Sequence, residues 1–448
     1  MVTLAGPVYC ELLAGVVAGI VNMVWVARLG GDAVAAVAVA TNTENVLLGV
    51  ILMAGSGTTV LVARAAGARD PAALRSAVRG GWALCALLTP VVAIGGWALR
   101  EPLAALVLGG SGGPVPALAA GYFAISLPGI AVFFAQNLLD SVLKGVGDTR
   151  TPMRCALLAN ALILVLDPLL ILGLLGLPEL GVPGAALATV VGRSVALAAG
   201  LRALRRNPRL REARRVPPRD PAAAGSVVAA LRRTAATGAP MSADFLVRMA
   251  GSLALVAIVA RVGVTEVAAY GIATKAMYVA TMAFYAVRQA AAIHTAHTLG
   301  ALAATDAGTG GAAVRAAIGR QALRLGAALG AAFALLLLAG APLVMRAFGA
   351  EPEVAAAGVL FLRCLGPHLT LLACFIALGG VFEGSGGSSS LMWVTLTGMA
   401  VQLPLAHALT GLGMPGICLA MGLGALLQGL AVLALFRRRT RPAEPAAG

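Results

Sequence analysis

Apolar residues along the chain form twelve long runs that are separated by short polar segments. Six runs lie near 3–27, 35–62, 80–99, 117–139, 155–176 and 181–201, and six lie near 234–260, 268–292, 325–345, 356–380, 391–411 and 413–436. An α-helix needs about 20 predominantly apolar residues to cross a bilayer, and each run is long enough. We therefore predict an all-α polytopic membrane protein with twelve transmembrane helices.

The chain contains an internal repeat. The stretch "RLGGDAVAAVAVAT" (28–41) matches "RVGVTEVAAYGIAT" (261–274) at 7 of 14 positions, at an offset of 233 residues. Farther along, "GVPGAAL" (181–187) is similar to "GMPGICL" (413–419), and "LKGVGDTRTPM" (143–153) is weakly similar to "FEGSGGSSSLM" (382–392). Each half holds six spans, so both halves enter the membrane from the same side. Such parallel six-helix repeats are typical of alternating-access transporters, which hold substrate in the cleft between the bundles.

Basic residues predict the orientation. If both termini are cytoplasmic, the inner segments contain 24 Lys and Arg residues, and the outer segments contain four: Arg28, Arg100, Arg261 and Arg346. An excess of Lys and Arg marks the cytoplasmic side of a membrane protein. The resulting organisation is an N-terminal six-helix lobe at 1–201, a cytoplasmic Arg/Pro-rich linker at 202–233, a C-terminal six-helix lobe at 234–436 and a cytoplasmic tail at 437–448.

Composition agrees with a membrane protein and indicates its partners. The chain is 60% hydrophobic and 11% charged, whereas soluble domains carry about 25% charged residues. The net charge of +15 comes mostly from the short segments between spans, and aromatic residues make up only 4%. These features favour the anionic inner surface of the lipid bilayer as a partner, and not nucleic acid. The first run begins almost at Met1 without a basic region before it, so it is interpreted as a span and not as a cleavable signal.

Several motifs occur in an order and at spacings that resemble the MATE family, the multidrug and toxic compound extrusion transporters. They are "VARLGGDAVAAVAVAT" (26–41), "LVARAAGARD" (61–70), "LKGVGDTRTP" (143–152), "LDPLLILG" (166–173) and "AYGIATKA" (269–276). The resemblance covers essentially the whole chain. It implies an antiporter that exchanges H⁺ or Na⁺ for organic, often cationic and amphipathic, compounds, and a V-shaped pair of lobes.

The chain departs from that family pattern at three positions. Asn22 stands where the family often has an Asp late in the first span, and Ile163 replaces the second Asn of an "NxxNxxLD" pattern. Arg248 lies where many relatives have an acidic residue in the seventh span. These departures leave the choice between H⁺ and Na⁺ open.

Asp167 is the leading candidate for cation coupling. It lies midway through the fifth span, where an ionised Asp costs about 2.5–3.5 kcal/mol on insertion scales. Asn160 precedes it by seven residues, about 700° of helical rotation, so both side chains face the same direction. A carboxylate with an amide nearby could take up a proton or Na⁺. The alternative is an Asp paired structurally with a neighbouring Arg.

Glu11 in the first span is a second candidate. Eleven residues separate it from Asn22 on one helix face, and we hypothesise that Glu11 replaces the carboxylate missing at Asn22. The alternative is an acid that reaches the water near the inner interface. We thus predict a cation-coupling group of Asp167, Asn160, Glu11 and Asn22.

Further charged residues form a possible substrate cleft or charge pair: Glu44, Asp244, Arg248 and Lys275. Asp244 and Arg248 are spaced i, i+4 and can pair directly, an arrangement that we favour over an ion site. His294 and His297 are too few ligands for a metal site, so we predict no metal, and no cofactor other than the coupling ion.

Sequence motifs distinguish between the possible functions. A flippase for a lipid-linked precursor would need a basic cavity, for which Arg193, Arg248, Lys275 and Arg288 are available, but the close motif match and the twelve spans argue against it. The sequence lacks HExxH, a Ser nucleophile elbow and a GxxxxGK[ST] loop, so an enzyme or an ATP-driven pump is disfavoured. We predict a monomeric plasma-membrane exporter of small organic molecules, with xenobiotics among its substrates.

Overall fold

A computed structural model describes residues 1–102, 114–176, 178–215, 227–305 and 310–440, and over these ranges the chain is helical without strands. The first six long helices are α1 (Val2–Ala27), α2 (Gly31–Gly67), α3 (Pro71–Ala98), α4 (Val115–Gly145), α5 (Arg150–Ile171) and α6 (Val182–Arg206). A short helix, α7 (Pro208–Arg215), follows. The rest of the chain forms α8 (Val227–Val259), α9 (Val264–Ala304), α10 (Gly311–Ala347), α11 (Pro352–Cys364), α12 (Gly366–Gly384), α13 (Ser388–Ala408) and α14 (Met414–Thr440).

Twelve of the described helices, all except α7 and α11, are long and apolar enough to cross a membrane. The run predicted at 356–380 is divided, because α11 ends at Cys364 and α12 begins at Gly366. Pro367 explains the break, since proline has no N–H to donate to the carbonyl four residues earlier. The loop at 202–233 contains the end of α6, all of α7 and the start of α8, and residues 216–226 of it lie outside the described ranges. In the tail, α14 continues to Thr440 and residues 441–448 are likewise outside.

Internal packing divides the chain into two compact units, which we call the N-terminal unit and the C-terminal unit. The N-terminal unit is Cys10–Ser242, and the C-terminal unit combines Met1–Tyr9 with Ala243–Gly448. The two boundaries fall inside α1 and α8. The predicted lobes place their boundary in the linker at 202–233 instead, which ends within the first turns of α8, and this detail of domain organisation stays a prediction.

In the N-terminal unit, α2 packs against α3 and α4, α3 packs against α4, and α6 packs against both α4 and α5. The core of this unit is built from large buried side chains of α4, such as Phe123, Phe134 and Leu138. The first part of α8 belongs here as well: the Ser242 hydroxyl donates to the Gly49 carbonyl at 2.5 Å.

In the C-terminal unit, the same pairs recur at corresponding spans. α9 packs against α10 and α12, α10 packs against α12, and α14 packs against both α12 and α13. Spans 2, 3, 4, 5 and 6 of the first half thus correspond to spans 8, 9, 10, 11 and 12 of the second. The repeat in the sequence therefore corresponds to a repeat in helix packing.

Glycines at matching positions of the repeat stand just before or just after helices in both halves. Gly181 before α6 and Gly413 before α14 have φ of 59° and 65°, and a proline follows each two residues later. Gly147 and Gly386, which follow α4 and α12, have φ of 91° and 82°. Only glycine adopts these left-handed conformations without a steric cost, so the turns themselves are conserved between the halves.

Candidate cation-coupling site

Asp167 and Asn22 form a hydrogen-bonded pair inside the N-terminal unit. The Asn22 side chain on α1 donates its Nδ2–H to Asp167 Oδ2 on α5 at 2.9 Å. Asp167 has no exposed surface, and its second oxygen, Oδ1, is buried without a hydrogen-bond partner among the described residues. Burial of a polar atom without a partner is costly, and a bound proton or cation is one way to remove that cost.

No basic side chain pairs with Asp167 within the described part of the chain. The alternative interpretation, an Asp held by a neighbouring Arg, therefore receives no support from the geometry. The same helix face carries Ile163 and Ile171, one turn to either side, and both are buried. The carboxylate consequently faces an apolar environment with one amide donor.

Asn160 does not join this pair. It is half-buried on α5, and the described residues give it no hydrogen bond to Asp167. The rotation of 700° does bring both side chains to one face of the helix. However, seven residues at 1.5 Å each separate them by about 10 Å along the axis, which is too far for direct contact. The second polar group at Asp167 comes from α1 instead.

Glu11 lies elsewhere in the N-terminal unit and binds Lys144. The Lys144 ammonium at the end of α4 donates to Glu11 Oε1 at 2.7 Å, and both side chains are largely buried. Asn22 itself reaches Asp167, while Glu11 pairs with an ammonium, so the structure does not bring Glu11 to the Asp167 carboxylate. The hypothesis that Glu11 replaces the carboxylate missing at Asn22 stays a prediction. The eleven residues between them correspond to about 16 Å along α1.

A third polar group lies between these two pairs. Glu44 on α2 interacts electrostatically with Arg193 on α6, and Tyr122 on α4 interacts with Glu44, Arg193 and Asp167. The Arg193 guanidinium also lies over the Phe133 ring, 4.2 Å from its centroid. Glu44, Tyr122 and Arg193 therefore form a further group of polar side chains in the N-terminal unit.

Asp140 extends the polar interior of this unit towards Glu11. It accepts hydrogen bonds from the Gln136 side chain at 3.1 and 3.2 Å, and it interacts electrostatically with Lys144, Glu11 and Arg193. The polar interior of the N-terminal unit accordingly contains four acids (Glu11, Glu44, Asp140 and Asp167) and two bases (Lys144 and Arg193). Of these four acids Asp167 is fully buried, and the other three are partly exposed.

In the C-terminal unit, Asp244 is fully engaged by bases. It accepts from Arg248 Nε at 3.1 Å and from Arg288 Nη2 at 3.0 Å, and it accepts a short hydrogen bond from the Thr395 hydroxyl. Arg288 in turn binds Glu383 Oε1 through Nη2 at 2.5 Å and through Nε at 3.0 Å. We call Asp244, Arg248, Arg288 and Glu383 the four-charge cluster. It has two acids and two bases, so it is neutral.

The predicted pairing of Asp244 with Arg248 is therefore present, and Arg288 and Glu383 are added to it. The sequence reasoning did not single out Glu383. Its repeat partner is Lys144, as the alignment of "LKGVG" with "FEGSG" shows. Glu11 and Asp244 also correspond to each other in the repeat. Asp244 and Glu383 are both acids and are bridged by Arg288, so both halves place charged residues at the same location but pair them differently.

Lys275 and the histidines remain apart from these groups. Lys275 is exposed on α9, with no hydrogen bond or ion pair to a described residue. His368 is buried, and its Nδ1 lies 3.0 Å from the Met421 carbonyl oxygen. Within the described ranges, no group of three or more His, Cys, Asp or Glu side chains is arranged to hold a metal ion.

Comparisons with known proteins agree on a single family. The MatE family profile matches residues 7–169 and 240–407, and the starts of the two matches lie 233 residues apart, which is the offset of the internal repeat. The chain is 29% identical to the probable multidrug resistance protein NorM of Bradyrhizobium diazoefficiens, over 98% of this chain and 92% of that protein. It is 31% identical to the NorM of Thermotoga maritima, but that match spans only 44% of this chain and 42% of the relative.

A solved structure confirms the fold. The outward-facing structure of a multidrug resistance MATE family transporter of the MOP superfamily matches with a TM-score of 0.88 at 20% identity, over 98% of this chain and 95% of that one. The predicted all-helical fold with twelve spans is confirmed, as is the resemblance drawn from the sequence motifs. Proteins of this family are transporters and not enzymes, in agreement with the expectation from the sequence.

Proposed function

We propose that this chain, which belongs to the MatE family of multidrug efflux transporters, is a secondary antiporter of the cell membrane. It exports organic compounds, cationic or amphipathic ones above all, in exchange for H⁺ or Na⁺ by alternating access. The single observation that carries this proposal is the Asp167 carboxylate, which is buried, unpaired with any described base and hydrogen-bonded through only one oxygen.

The energetics of Asp167 favour a role in ion binding. Asp167 lies four residues before the end of α5 but has no exposed surface, and burying an uncompensated charge costs several kcal/mol. One amide donor offsets only part of this cost, since a hydrogen bond to a charged group contributes about 1.5–3 kcal/mol. A proton or Na⁺ that neutralises the carboxylate removes the remainder. The empty and the occupied states of Asp167 therefore differ enough in free energy to bias a conformational equilibrium.

Asn22 suits this exchange because an amide both donates and accepts. With Asp167 ionised, Nδ2 donates to the carboxylate, as observed. With Asp167 protonated, a rotated amide can accept the new O–H, and with Na⁺ bound its oxygen can serve as a ligand. Asn22 can therefore accompany either ion, and the pair by itself does not select between H⁺ and Na⁺.

Ion uptake then drives the transport cycle. A cation that enters from outside neutralises Asp167 and favours the state that releases substrate outwards, and cation release to the cytoplasm resets the carrier. Glu44 is the acid that we propose for attracting cationic substrates, because it is a partly buried acid in the same unit as Asp167. Substrate and ion would then compete for one negatively charged region, which is the simplest basis for exchange.

The test uses purified protein in proteoliposomes with the pH gradient and the Na⁺ gradient imposed separately. Efflux of a fluorescent organic cation should follow one gradient in the wild-type chain. It should be lost in Asp167→Asn, which keeps the side-chain volume but cannot ionise. The control Asp32→Asn, at an exposed position in the first turn of α2, should retain it. Gradient-driven efflux by Asp167→Asn at the wild-type rate would refute the mechanism.

The flippase alternative gains no support from the charges. Arg248 and Arg288 are bound to Asp244, and Arg193 faces Glu44 and Phe133. A pyrophosphate would have to displace these acids. A fluorescent lipid-linked reporter in the same proteoliposomes tests this directly, and we expect it not to be flipped.

A further inference from the structure

The end of α6 and the helix α7 form a groove on the N-terminal unit, at the end that the Lys/Arg asymmetry assigns to the cytoplasm. The groove encloses about 510 Å³ and is lined by Asp148, Arg202, Arg206, Asn207 and Pro208 together with two alanines. Small-molecule sites typically have volumes of roughly 300–1,000 Å³. The groove thus has the size of a ligand site, and none of its residues belongs to the coupling site.

Two arginines of the groove are without partners. Arg202 and Arg206 are exposed, and neither makes a hydrogen bond or an ion pair with any described residue. They are spaced i, i+4 on α6, so both guanidinium groups lie on one face of the helix. Like charges at this spacing destabilise a helix. An anion between the two groups would convert this repulsion into attraction.

The remaining polar groups of the groove fit an anion that also carries a hydroxyl. The Asp148 carboxylate is already engaged, because it accepts from the Thr151 N–H at 3.0 Å and from the Thr151 hydroxyl at 2.7 Å. Asn207 Oδ1 is buried and accepts no hydrogen bond from the described residues. The groove therefore offers two guanidinium donors and one amide acceptor to a ligand.

The position of α7 places this groove at a membrane surface. Leu210 and Ala213 are buried on one side of α7, which packs against α3, and the Arg209 guanidinium donates to the Val146 carbonyl at 2.9 Å. The exposed positions of α7 include three arginines, Arg211, Arg214 and Arg215, and one acid, Glu212, so this side is basic overall. A basic amphipathic helix next to the end of a span is typical of the headgroup region of a bilayer.

We propose that the groove binds the headgroup of an anionic phospholipid, with phosphatidylglycerol as the fitting chemistry. Arg202 and Arg206 bind the phosphodiester oxygens through charge-assisted hydrogen bonds, and Asn207 Oδ1 accepts from a glycerol hydroxyl of the headgroup. The acyl chains follow the apolar surface of α6. A lipid is favoured over a soluble phosphate because the groove adjoins the end of a transmembrane helix, at the depth where headgroups lie.

The test measures lipid retained by the full-length chain in native mass spectrometry, after exchange into micelles doped with phosphatidylglycerol or with phosphatidylcholine of the same acyl chains. The wild-type chain should retain phosphatidylglycerol preferentially. Arg202→Gln/Arg206→Gln removes both charged contacts and should weaken retention about a hundredfold, since each contact is worth about tenfold. The control Arg437→Gln/Arg438→Gln removes the same charge from exposed positions at the end of α14 and should leave retention unchanged.

Each other outcome would overturn the proposal. Equal losses in both double variants would mean that net charge alone attracts the lipid. Displacement by soluble glycerol 3-phosphate at concentrations equal to those of the lipid would identify a soluble phosphate ligand. Arg202→Lys/Arg206→Lys keeps the charge and should retain most binding, so a loss there together with a lowered melting temperature would indicate a folding role. Transport is not measured, so the result is independent of the proposed antiport.

Discussion

Replacing Asp244 by alanine should destabilise the C-terminal unit, because it leaves the four-charge cluster with two bases and one acid. Breaking a buried ion pair by removing one partner typically costs about 3–5 kcal/mol. Arg288 keeps both of its hydrogen bonds to Glu383, at 2.5 and 3.0 Å. Arg248 keeps its hydrogen bond to the Thr395 hydroxyl at 3.2 Å and its position over the Phe375 ring, 4.9 Å from the centroid, but it has no acid left to pair with. Since one of the two bases remains satisfied, we expect the lower end of the range, about 3 kcal/mol.

The double variant Asp244→Ala/Arg248→Met should recover part of that loss. It restores neutrality by leaving one base, Arg288, with one acid, Glu383. Residues in one ionic network show coupling energies of about 0.5–3 kcal/mol, and we expect a recovery of about 1–2 kcal/mol. Additivity predicts the opposite result, namely a double variant that is less stable than either single variant.

The free energy of unfolding can be measured by titrating the purified chain in mixed micelles with a denaturing detergent and following helical circular dichroism. Asp32→Ala, at an exposed position on α2, controls for the loss of an acid. A cost below about 1 kcal/mol for Asp244→Ala, the value of an exposed pair, would refute the reasoning. So would a double variant that is less stable than Asp244→Ala.

Three further outcomes follow from contacts in the N-terminal unit. Gly238→Ala should destabilise the chain by about 1–3 kcal/mol through overpacking, because an added methyl would clash with a main-chain carbonyl of α2. The control Gly271→Ala places its methyl in open space and should not be destabilising. Melting curves compare the two variants. Asn22→Leu should shift the apparent cation affinity of transport about tenfold while the maximal efflux rate stays similar. Loss of the N–H that donates to the ionised Asp167 carboxylate strengthens H⁺ binding, whereas loss of the amide oxygen as a ligand weakens Na⁺ binding. An unchanged ion titration of transport would contradict this. Asp70→Ala should lower the free energy of unfolding by about 1 kcal/mol, because the Asp70 side chain caps α3 by accepting from two main-chain N–H groups at 2.9 and 3.0 Å. An unchanged melting temperature would show that packing alone fixes this helix end.

Hydrophobic runs were sufficient to predict the twelve spans, since span length is dictated by bilayer thickness. They did not predict the break at Leu365, although the Gly366-Pro367 pair was a visible signal for it. The repeat offset was also readable, and the packing of both units follows it. Periodicity along one helix does not reveal its register, that is, which of its residues lie beside which residues of a helix that is distant in the sequence.

That missing register explains the outcome at the site. Rotation along one helix placed Asn160 on the face of Asp167 but did not account for the distance along the axis. Asn22, 145 residues away, forms the hydrogen bond instead. For the same reason the pairing of Glu11 with Lys144 was not predicted, since nothing in the local sequence of Glu11 indicated it. Glu383 is the counterpart of Lys144 in the internal repeat, so an alignment of the two halves over this motif would have identified it.

The closure of each ionic group within a single unit has a consequence for biogenesis. Glu11 meets Lys144 inside the first half of the chain, and Asp244 meets its bases inside the second half. The first six spans can thus leave the insertion machinery with that pair already formed, before any of the later helices has been synthesised. A nascent half-protein would then expose fewer uncompensated charges to lipid and be a poorer target for membrane proteases.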